Sequence, residues 1–223
     1  MKIIFKYTKT GPLKFISHLD TLRALQRALR RGKFPIRYSE GYNPHPKLSI
    51  ATPLPLGVES IGEYAEIELE QDMDVSTFVH SINEVLPKGM EVVTAVVSSK
   101  SQSLPARVTG QIYRVEVFFK SEKEAEIAKD TLKGILDEDY EIIRERKKKQ
   151  KIVKKTINVP DYLECIELKE AKDLVIEIEV TICFNESGSL KIEELRQFLY
   201  NKLIHVDNIN MVRVGLKFID KVV

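Results

Sequence analysis

The chain lacks several features that mark particular protein classes. It has two cysteines, Cys165 and Cys183, and no tryptophan among 223 residues. A structural zinc site takes four Cys or His ligands, and a disulfide framework takes several cysteine pairs. We therefore expect two buried thiols, and neither a metal nor a cofactor. No apolar run approaches the roughly 18 residues of a membrane-spanning helix, and lysines interrupt the first residues, unlike a signal peptide. The sequence predicts a cytoplasmic protein without a membrane segment.

Signatures of catalysis are missing as well. There is no glycine-rich phosphate loop, no HExxH and no Gly-x-Ser-x-Gly, and no cysteine triplet for an iron–sulfur cluster. An enzyme that acts alone is therefore the weaker interpretation. An apolar content of 43% supports a substantial core. The net charge of +2 is small, so a surface for nucleic acid would need local clustering of basic residues.

The order of the predicted elements indicates the fold class. Residues 1–100 read as strand, helix, strand, strand, helix, strand, and residues 110–223 repeat this order with extra β segments at 140–168. The serine-rich residues 101–109 form a candidate linker. Two copies of βαββαβ correspond to the split βαβ arrangement. We expect an α+β protein of two tandem ferredoxin-like domains, the second with an extra β-hairpin.

One predicted helix carries a stripe of arginines. It begins at Ser17 or His18 and ends at Gly32, a residue type that favours helix ends. The spacing of its arginines places them on one side, and its leucines are expected on the other side. Between Lys14 and Lys47 the chain has eight basic residues and two acids. Guanidinium groups bind phosphate and carboxylate in a bidentate manner, so this stripe is either a solvated helix face or an anion site.

A loop rich in Tyr, Asn, His and Pro follows the helix. Gly41 permits a turn, and Pro44 and Pro46 hold His45 in an extended segment. Tyrosines stack on bases, and a histidine serves as a general acid or base. The loop is either a rigid connection or a pocket wall. The predicted binding residues are Arg23, Arg27, Arg30, Arg37, Tyr38, Tyr42, Asn43, His45 and Lys47.

A second basic cluster runs from Arg144 to Lys155. Eight of these twelve residues are basic and one is acidic. A lysine-rich hairpin contacts a phosphate backbone without reading its sequence, although such charges also keep an edge strand from aggregating. The residues predicted to contact a nucleic-acid backbone are Arg146, Lys147, Lys148, Lys149 and Lys151.

The run FISHLDTLRALQRALRRGKFPIRYSEGYNPHPKLSIATPLPLGVES, from Phe15 to Ser60, resembles the radical-SAM-linked protein family. This is a bacterial domain of unknown function found beside or fused to B12-binding radical SAM enzymes. The resemblance implies a partner, a separately encoded radical SAM enzyme, and supplies no catalytic residues. The architecture is also similar to that of the Cas6-type CRISPR RNA endonucleases, which use histidine chemistry.

These observations predict a non-catalytic accessory protein that binds an anionic substrate such as RNA. A metal-independent endoribonuclease with His18 or His45 as general acid or base is the alternative. A scaffold that binds only protein is a third possibility.

Overall fold

The structure of the chain, a computed structural model, describes residues 1–148, 151–186 and 188–222, with the backbone alone for 146–148, 151 and 152. It has mainly antiparallel sheets, and its described residues form four α-helices. The predicted α+β class is confirmed. The chain divides into an N-terminal unit, Met1–Thr109 with the residues from Val212 onward, and a C-terminal unit, Gly110–Met211.

The elements follow one another along the chain in two series. The first series is β1 (Lys2–Lys9), α1 (His18–Arg31), β2 (Leu48–Ile50), β3 (Glu59–Glu68), α2 (Val75–Asn83) and β4 (Val92–Val97). The second series is β5 (Val108–Phe119), α3 (Glu122–Lys133), β6 (Glu141–Lys148), β7 (Lys151–Asn158), β8 (Leu163–Lys172), β9 (Val175–Cys183), α4 (Ile192–Lys202) and β10 (Val206–Phe218).

Each unit has its own strand order. In the N-terminal unit the order is β4-β1-β3, and β2 pairs antiparallel with the C-terminal part of β3. Val212 and Arg213 of β10 run parallel to Glu59 and Ser60, at the start of β3. In the C-terminal unit the order is β10-β5-β9-β8, and β6 and β7 form a separate hairpin. The hairpin lies between α3 and β8 in the sequence.

Helix α1 forms because its start is capped and one side is apolar. The side chain of Ser17 accepts a hydrogen bond from the backbone N–H of Asp20, and the helix ends before Gly32. Leu25, Ala28 and Leu29 are buried, as their spacing of three and four residues predicts. This packing leaves the opposite side of α1 in solvent.

Leu19 departs from the predicted helix faces. The leucines of α1 were all expected on the buried side, but Leu19 is 59% exposed. It precedes Arg23 by four residues and Arg30 by eleven, and a helix with 3.6 residues per turn places all three on one face. The expectation for Leu19 is wrong because the residue shares the phase of the arginines.

The last residues of the chain also differ from the prediction. They were assigned to a C-terminal domain at 110–223, but the residues from Val212 onward group with the N-terminal unit. Arg213 contacts Glu63 and the carbonyl of Pro53, which explains this grouping. The number of independently folding domains stays a prediction.

Candidate ligand-binding surface of the N-terminal unit

The arginines of α1 form an exposed stripe. Arg23, Arg27 and Arg30 are exposed and follow one another at the spacing of a single helix face. Arg23 donates to Asp20 at 3.0 Å, and hydrogen bonds from Ser17 and Arg23 lower the pKa of the Asp20 carboxyl. Within the described residues, Arg27 and Arg30 have no carboxylate within salt-bridge distance. Two guanidinium groups of the stripe thus remain available to an external anion.

The segment from Arg37 to Lys47 forms a closed loop beside the end of β3. The N–H of Lys47 donates to the carbonyl of Arg37 at 2.9 Å, and the N–H of Ser39 donates to that of His45 at 2.9 Å. At the tip Gly41 has a φ of 118°, a conformation that glycine adopts without steric cost. Backbone pairing thus holds both ends of the loop and leaves its tip in solvent.

Two predicted binding residues at the base of the loop share one carboxylate. Arg37 lies 3.9 Å and Lys47 lies 3.5 Å from the Glu68 carboxylate. The Arg37 side chain is 55% exposed, so water screens this pairing strongly. Glu68 reduces the positive charge here but leaves two cations for one carboxylate.

The tip presents an aromatic ring and an imidazole to solvent. Tyr42 and His45 are exposed, and Tyr42 has the full exposure of an isolated side chain, 111%. His45 Nδ1 lies 3.0 Å from Ser39 Oγ and 3.4 Å from the carbonyl oxygen of Asn43. These contacts engage Nδ1, so the ring directs Nε2 away from its own loop.

The stripe and the loop lie close in the sequence, but the contacts of the described residues do not link them. The loop begins six residues after Arg31, the last residue of α1. In the part of the chain that the structure describes, no hydrogen bond or ion pair joins the stripe to residues 38–46. The contacts of the described residues therefore do not join the stripe and the loop to each other.

Sequence reasoning missed a buried charged cluster in the N-terminal unit. Lys9, Glu63 and Arg213 are each at most 1% exposed. Glu63 Oε1 accepts from Arg213 Nε at 2.8 Å, and burial lowers the pKa of the Lys9 ammonium. The signal was present in the alternation: Lys9 is in phase with Ile3, Phe5 and Tyr7, and Glu63 is in phase with the apolar positions of β3. A charge at an inward position predicts a buried partner.

The basic hairpin is described only in part. Lys149 lies outside the described residues, as do the side chains of Arg146, Lys147, Lys148 and Lys151. Arg144 donates to both carboxylate oxygens of Glu194, at 2.8 and 2.6 Å, and this pairing raises the pKa of its guanidinium. Arg144 thus holds the hairpin to α4 and is not free for a ligand.

The remaining histidines and the cysteines do not assemble into a site. His18 is half-buried at the start of α1, whereas His80 lies 3.3 Å from Glu84 and His205 lies 3.8 Å from Glu124. Cys165 and Cys183 are half-buried thiols that form no disulfide, and not the buried thiols predicted, because they lie near the end of the β8–β9 ladder. Among the described residues no group of His, Cys, Asp and Glu could hold a metal ion.

Comparison with known families identifies the chain. A family model described as "Uncharacterized protein conserved in bacteria (DUF2344)" matches residues 2–192. The chain belongs to this family. No curated protein matches it. No helix among the described residues is long and apolar enough to cross a membrane.

Two solved structures are similar to the chain at low identity. One is the "Crystal Structure of a Cbf5-Nop10-Gar1 Complex", with a TM-score of 0.46, 12% identity and coverage of 96% of this chain and 47% of that chain. The other is the "Structure of H/ACA RNP bound to a substrate RNA containing 2'-deoxyuridine", with a TM-score of 0.45, 12% identity and coverage of 96% and 45%. The chain spans about half the length of both matched chains, and likenesses this weak indicate no function.

Proposed function

We propose that the N-terminal unit binds an anionic ligand, and that the ligand is RNA. The observation that carries this proposal is the exposed pair Arg27 and Arg30, which has no carboxylate partner in the described residues. Unpaired guanidinium groups at helix spacing match the repeated phosphates of a nucleic acid. The exposed ring of Tyr42 adds a surface on which a base stacks.

The proposed roles follow from position and charge. The arginines contact phosphates, and Arg37 and Lys47 extend the positive surface toward the loop. Tyr38, Tyr42 and Asn43 contact bases, and His45 donates or accepts a hydrogen bond through Nε2. Arg146, Lys147, Lys148, Lys149 and Lys151 would add attraction that does not depend on sequence.

The charge of the C-terminal sheet supports placing RNA on the N-terminal unit. Glu116 and Glu177 lie directly opposite each other on β5 and β9, and Glu170 lies opposite Glu177 on β8. Arg114 lies 3.3 Å from the Glu177 carboxylate, so three carboxylates share one arginine, and the negative charge that remains repels phosphate. The hairpin, and not this sheet, is then the part of the C-terminal unit suited to an RNA backbone.

The strand orders support the finer fold hypothesis. In the split βαβ arrangement the two central strands are the first and third, as β1 and β3 are in the N-terminal unit. In the C-terminal unit β5 and β9 occupy these places once the β6–β7 hairpin is set aside. We infer two ferredoxin-like domains, the second with an inserted hairpin.

The partner hypothesis rests on the resemblance of residues 15–60 to the radical-SAM-linked family. The protein would act in the cytoplasm as an accessory subunit that presents RNA to a separately encoded, B12-binding radical SAM enzyme. Co-expression of the two chains followed by size-exclusion chromatography tests this hypothesis, and separate elution at micromolar concentrations would contradict it.

A salt titration of RNA binding tests the anion proposal. Binding of a labelled single-stranded RNA to the full chain should weaken steeply with salt, with a log–log slope of about −0.7 per neutralised phosphate. Arg27→Ala/Arg30→Ala should weaken binding, whereas Lys133→Ala on α3 should not. RNA affinity that does not respond to salt, or no binding, would remove RNA from the proposal.

The contact between Ser39 and His45 favours one alternative, a metal-independent ribonuclease. A hydrogen bond on Nδ1 orients an imidazole whose Nε2 exchanges a proton with substrate; His18 is the second candidate. The test is incubation of the chain with labelled RNA and EDTA. Cleavage that disappears in His45→Ala or His18→Ala supports the nuclease, and intact RNA excludes it.

A further inference from the structure

Three large apolar side chains are exposed near the start of α1. Phe15 is 66%, Leu19 is 59% and Leu56 is 65% exposed; we call them the apolar patch. A Cβ placed on Gly57, the residue after Leu56, would lie 4.0 Å from the Phe15 ring. The N–H of Gly57 also donates to the carbonyl of Lys14 at 2.9 Å. The turn with Leu56 and the segment with Phe15 are therefore direct neighbours.

Buried cations hold both of these segments by their backbone. Lys9 Nζ donates to the carbonyl of Ile16 at 2.9 Å, and Arg213 Nη2 donates to the carbonyl of Pro53 at 3.0 Å. The Glu63 carboxylate accepts a hydrogen bond from the Arg213 guanidinium. Its negative charge also favours the charged form of Lys9. The apolar patch is therefore presented by two anchored segments.

The anchoring distinguishes the patch from scattered surface apolar residues. Single exposed apolar residues are common and need no explanation. Here, however, Lys9 and Arg213 are almost fully buried, and burying such charges is unfavourable unless their contacts compensate. Backbone segments held in place lose less conformational entropy on binding. One aromatic and two aliphatic side chains exposed on such segments offer apolar area that a partner would bury on binding.

The charges beside the patch define the chemistry of the partner. Leu19, Arg23 and Arg27 lie at successive intervals of four residues on the exposed face of α1. Asp20 pairs with Arg23 and Glu59 pairs with Lys14. Asp20 also acts on Arg27 electrostatically, but in the described part of the chain no carboxylate lies within salt-bridge distance of Arg27. A partner surface complementary to this region carries apolar side chains that face the apolar patch and carboxylates that face Arg27.

We propose that Phe15, Leu19 and Leu56 form a docking site for a partner protein, which inserts apolar side chains of an acidic amphipathic helix. The carboxylates of that helix pair with Arg27 and, in competition with Asp20, with Arg23. This inference goes beyond the RNA proposal because the docking site uses side chains without hydrogen-bonding groups. A protein is favoured over RNA here because two of the three groups are aliphatic and offer no ring on which a base stacks.

The test uses the full chain and two designed helical peptides of about 15 residues, near the length at which isolated helices become stable. Both have the same leucine face; one is flanked by glutamates and the other by lysines. Fluorescence anisotropy should show binding of the glutamate peptide only. Phe15→Ala and Leu56→Ala should each weaken it roughly tenfold or more, and Ile204→Ala, which is similarly exposed in the C-terminal unit, should not.

The outcomes separate this inference from the RNA proposal. Three results would overturn the docking site: the glutamate peptide does not bind, the lysine peptide binds equally well, or Ile204→Ala loses as much affinity for the glutamate peptide as Phe15→Ala and Leu56→Ala do. A parallel fall of RNA affinity in Phe15→Ala would also overturn it, because the ring would then be a base-stacking surface. If Arg27→Ala/Arg30→Ala leaves RNA binding unchanged, the RNA proposal fails while the peptide result stands.

Discussion

Arg213 and Glu63 form a buried ion pair between residues 150 positions apart in the chain. Arg213 Nε lies 2.8 Å from Glu63 Oε1, and its Nη2 lies 3.3 Å from Oε2. The two side chains are 0% and 1% exposed. Because Glu63 is on β3 and Arg213 is on β10, the last strand supplies a hydrogen-bonding partner for a carboxylate buried in the N-terminal unit.

Removal of one partner of this pair should destabilise the protein strongly. Glu63→Leu leaves the Arg213 charge buried without its counter-charge, and we expect the free energy of unfolding to fall by about 3–5 kcal/mol. Glu63→Leu/Arg213→Met should recover much of this loss. Urea unfolding measures both changes. Lys154→Met, which breaks an exposed pair with Glu145, should cost less than about 1 kcal/mol; an equal loss in both variants would contradict the expectation.

Deletion of the C-terminal residues should loosen the N-terminal unit. A chain that ends at Met211 loses Arg213 and the pairing of Val212 with Glu59. We expect hydrogen exchange of β1 and β3 amides to accelerate, because Glu63 is left buried without its partner. A chain that ends at Asp220 keeps these contacts and should exchange like the full chain. Unchanged protection of β3 in the shorter chain would show that the last strand is dispensable.

Tyr7 should reduce stability at high pH. Burial, and secondly the Glu63 carboxylate, raise the pKa of the Tyr7 phenol well above its ordinary value. Above about pH 10 the phenol ionises in the unfolded chain only, so the unfolded state binds fewer protons and stability falls as pH rises, by up to about 1.4 kcal/mol per pH unit. Tyr7→Phe removes this component.

Comparing Tyr7→Phe with the original chain separates the effect of Tyr7 on stability from the effects of other titratable groups. Burial lowers the pKa of the Lys9 ammonium. Lys9 therefore makes stability rise with pH below the pKa that it has in the unfolded chain. Lys9 is present both in the original chain and in Tyr7→Phe, so its contribution cancels in the comparison. Denaturant unfolding between pH 9 and 11.5 should show a shallower decline in Tyr7→Phe than in the original chain. Tyr42→Phe, at an exposed position, should follow the original chain. Parallel declines in all three proteins would exclude this role.

Replacing Arg27 and Arg30 with lysine should affect RNA binding differently from replacing them with alanine. In Arg27→Lys/Arg30→Lys the positive charge remains, so the slope of log affinity against log salt concentration should stay the same. The RNA affinity itself should fall, because lysine does not form the bidentate phosphate contacts of arginine. In Arg27→Ala/Arg30→Ala the slope should decrease by about 0.7 for each phosphate contact removed. Filter binding at several salt concentrations measures both. A slope that the alanine variant leaves unchanged would place the RNA elsewhere.

The local spacing of apolar residues predicted the helices and strands well where one face of the element is buried. The alternation of β1 and the spacing of Leu25, Ala28 and Leu29 reproduce the observed strand and helix, because burial selects every second or every third to fourth residue. The same rule was applied incorrectly to Leu19. The loop from Arg37 to Lys47 was interpreted as either a rigid connection or a pocket wall. Its pairing with Glu68 depends on β3, whose position a local pattern does not contain.

The sequence by itself determined the α+β class, the arginine stripe and the proline-containing loop, because these depend on contacts between residues close in the chain. Only the tertiary structure decided that Lys9, Glu63 and Arg213 meet, that Glu68 lies between Arg37 and Lys47, and that Phe15 lies beside the turn of Leu56. Each of these depends on a pairing between distant segments. Burial makes such pairings strong, since charges removed from water must find partners within reach.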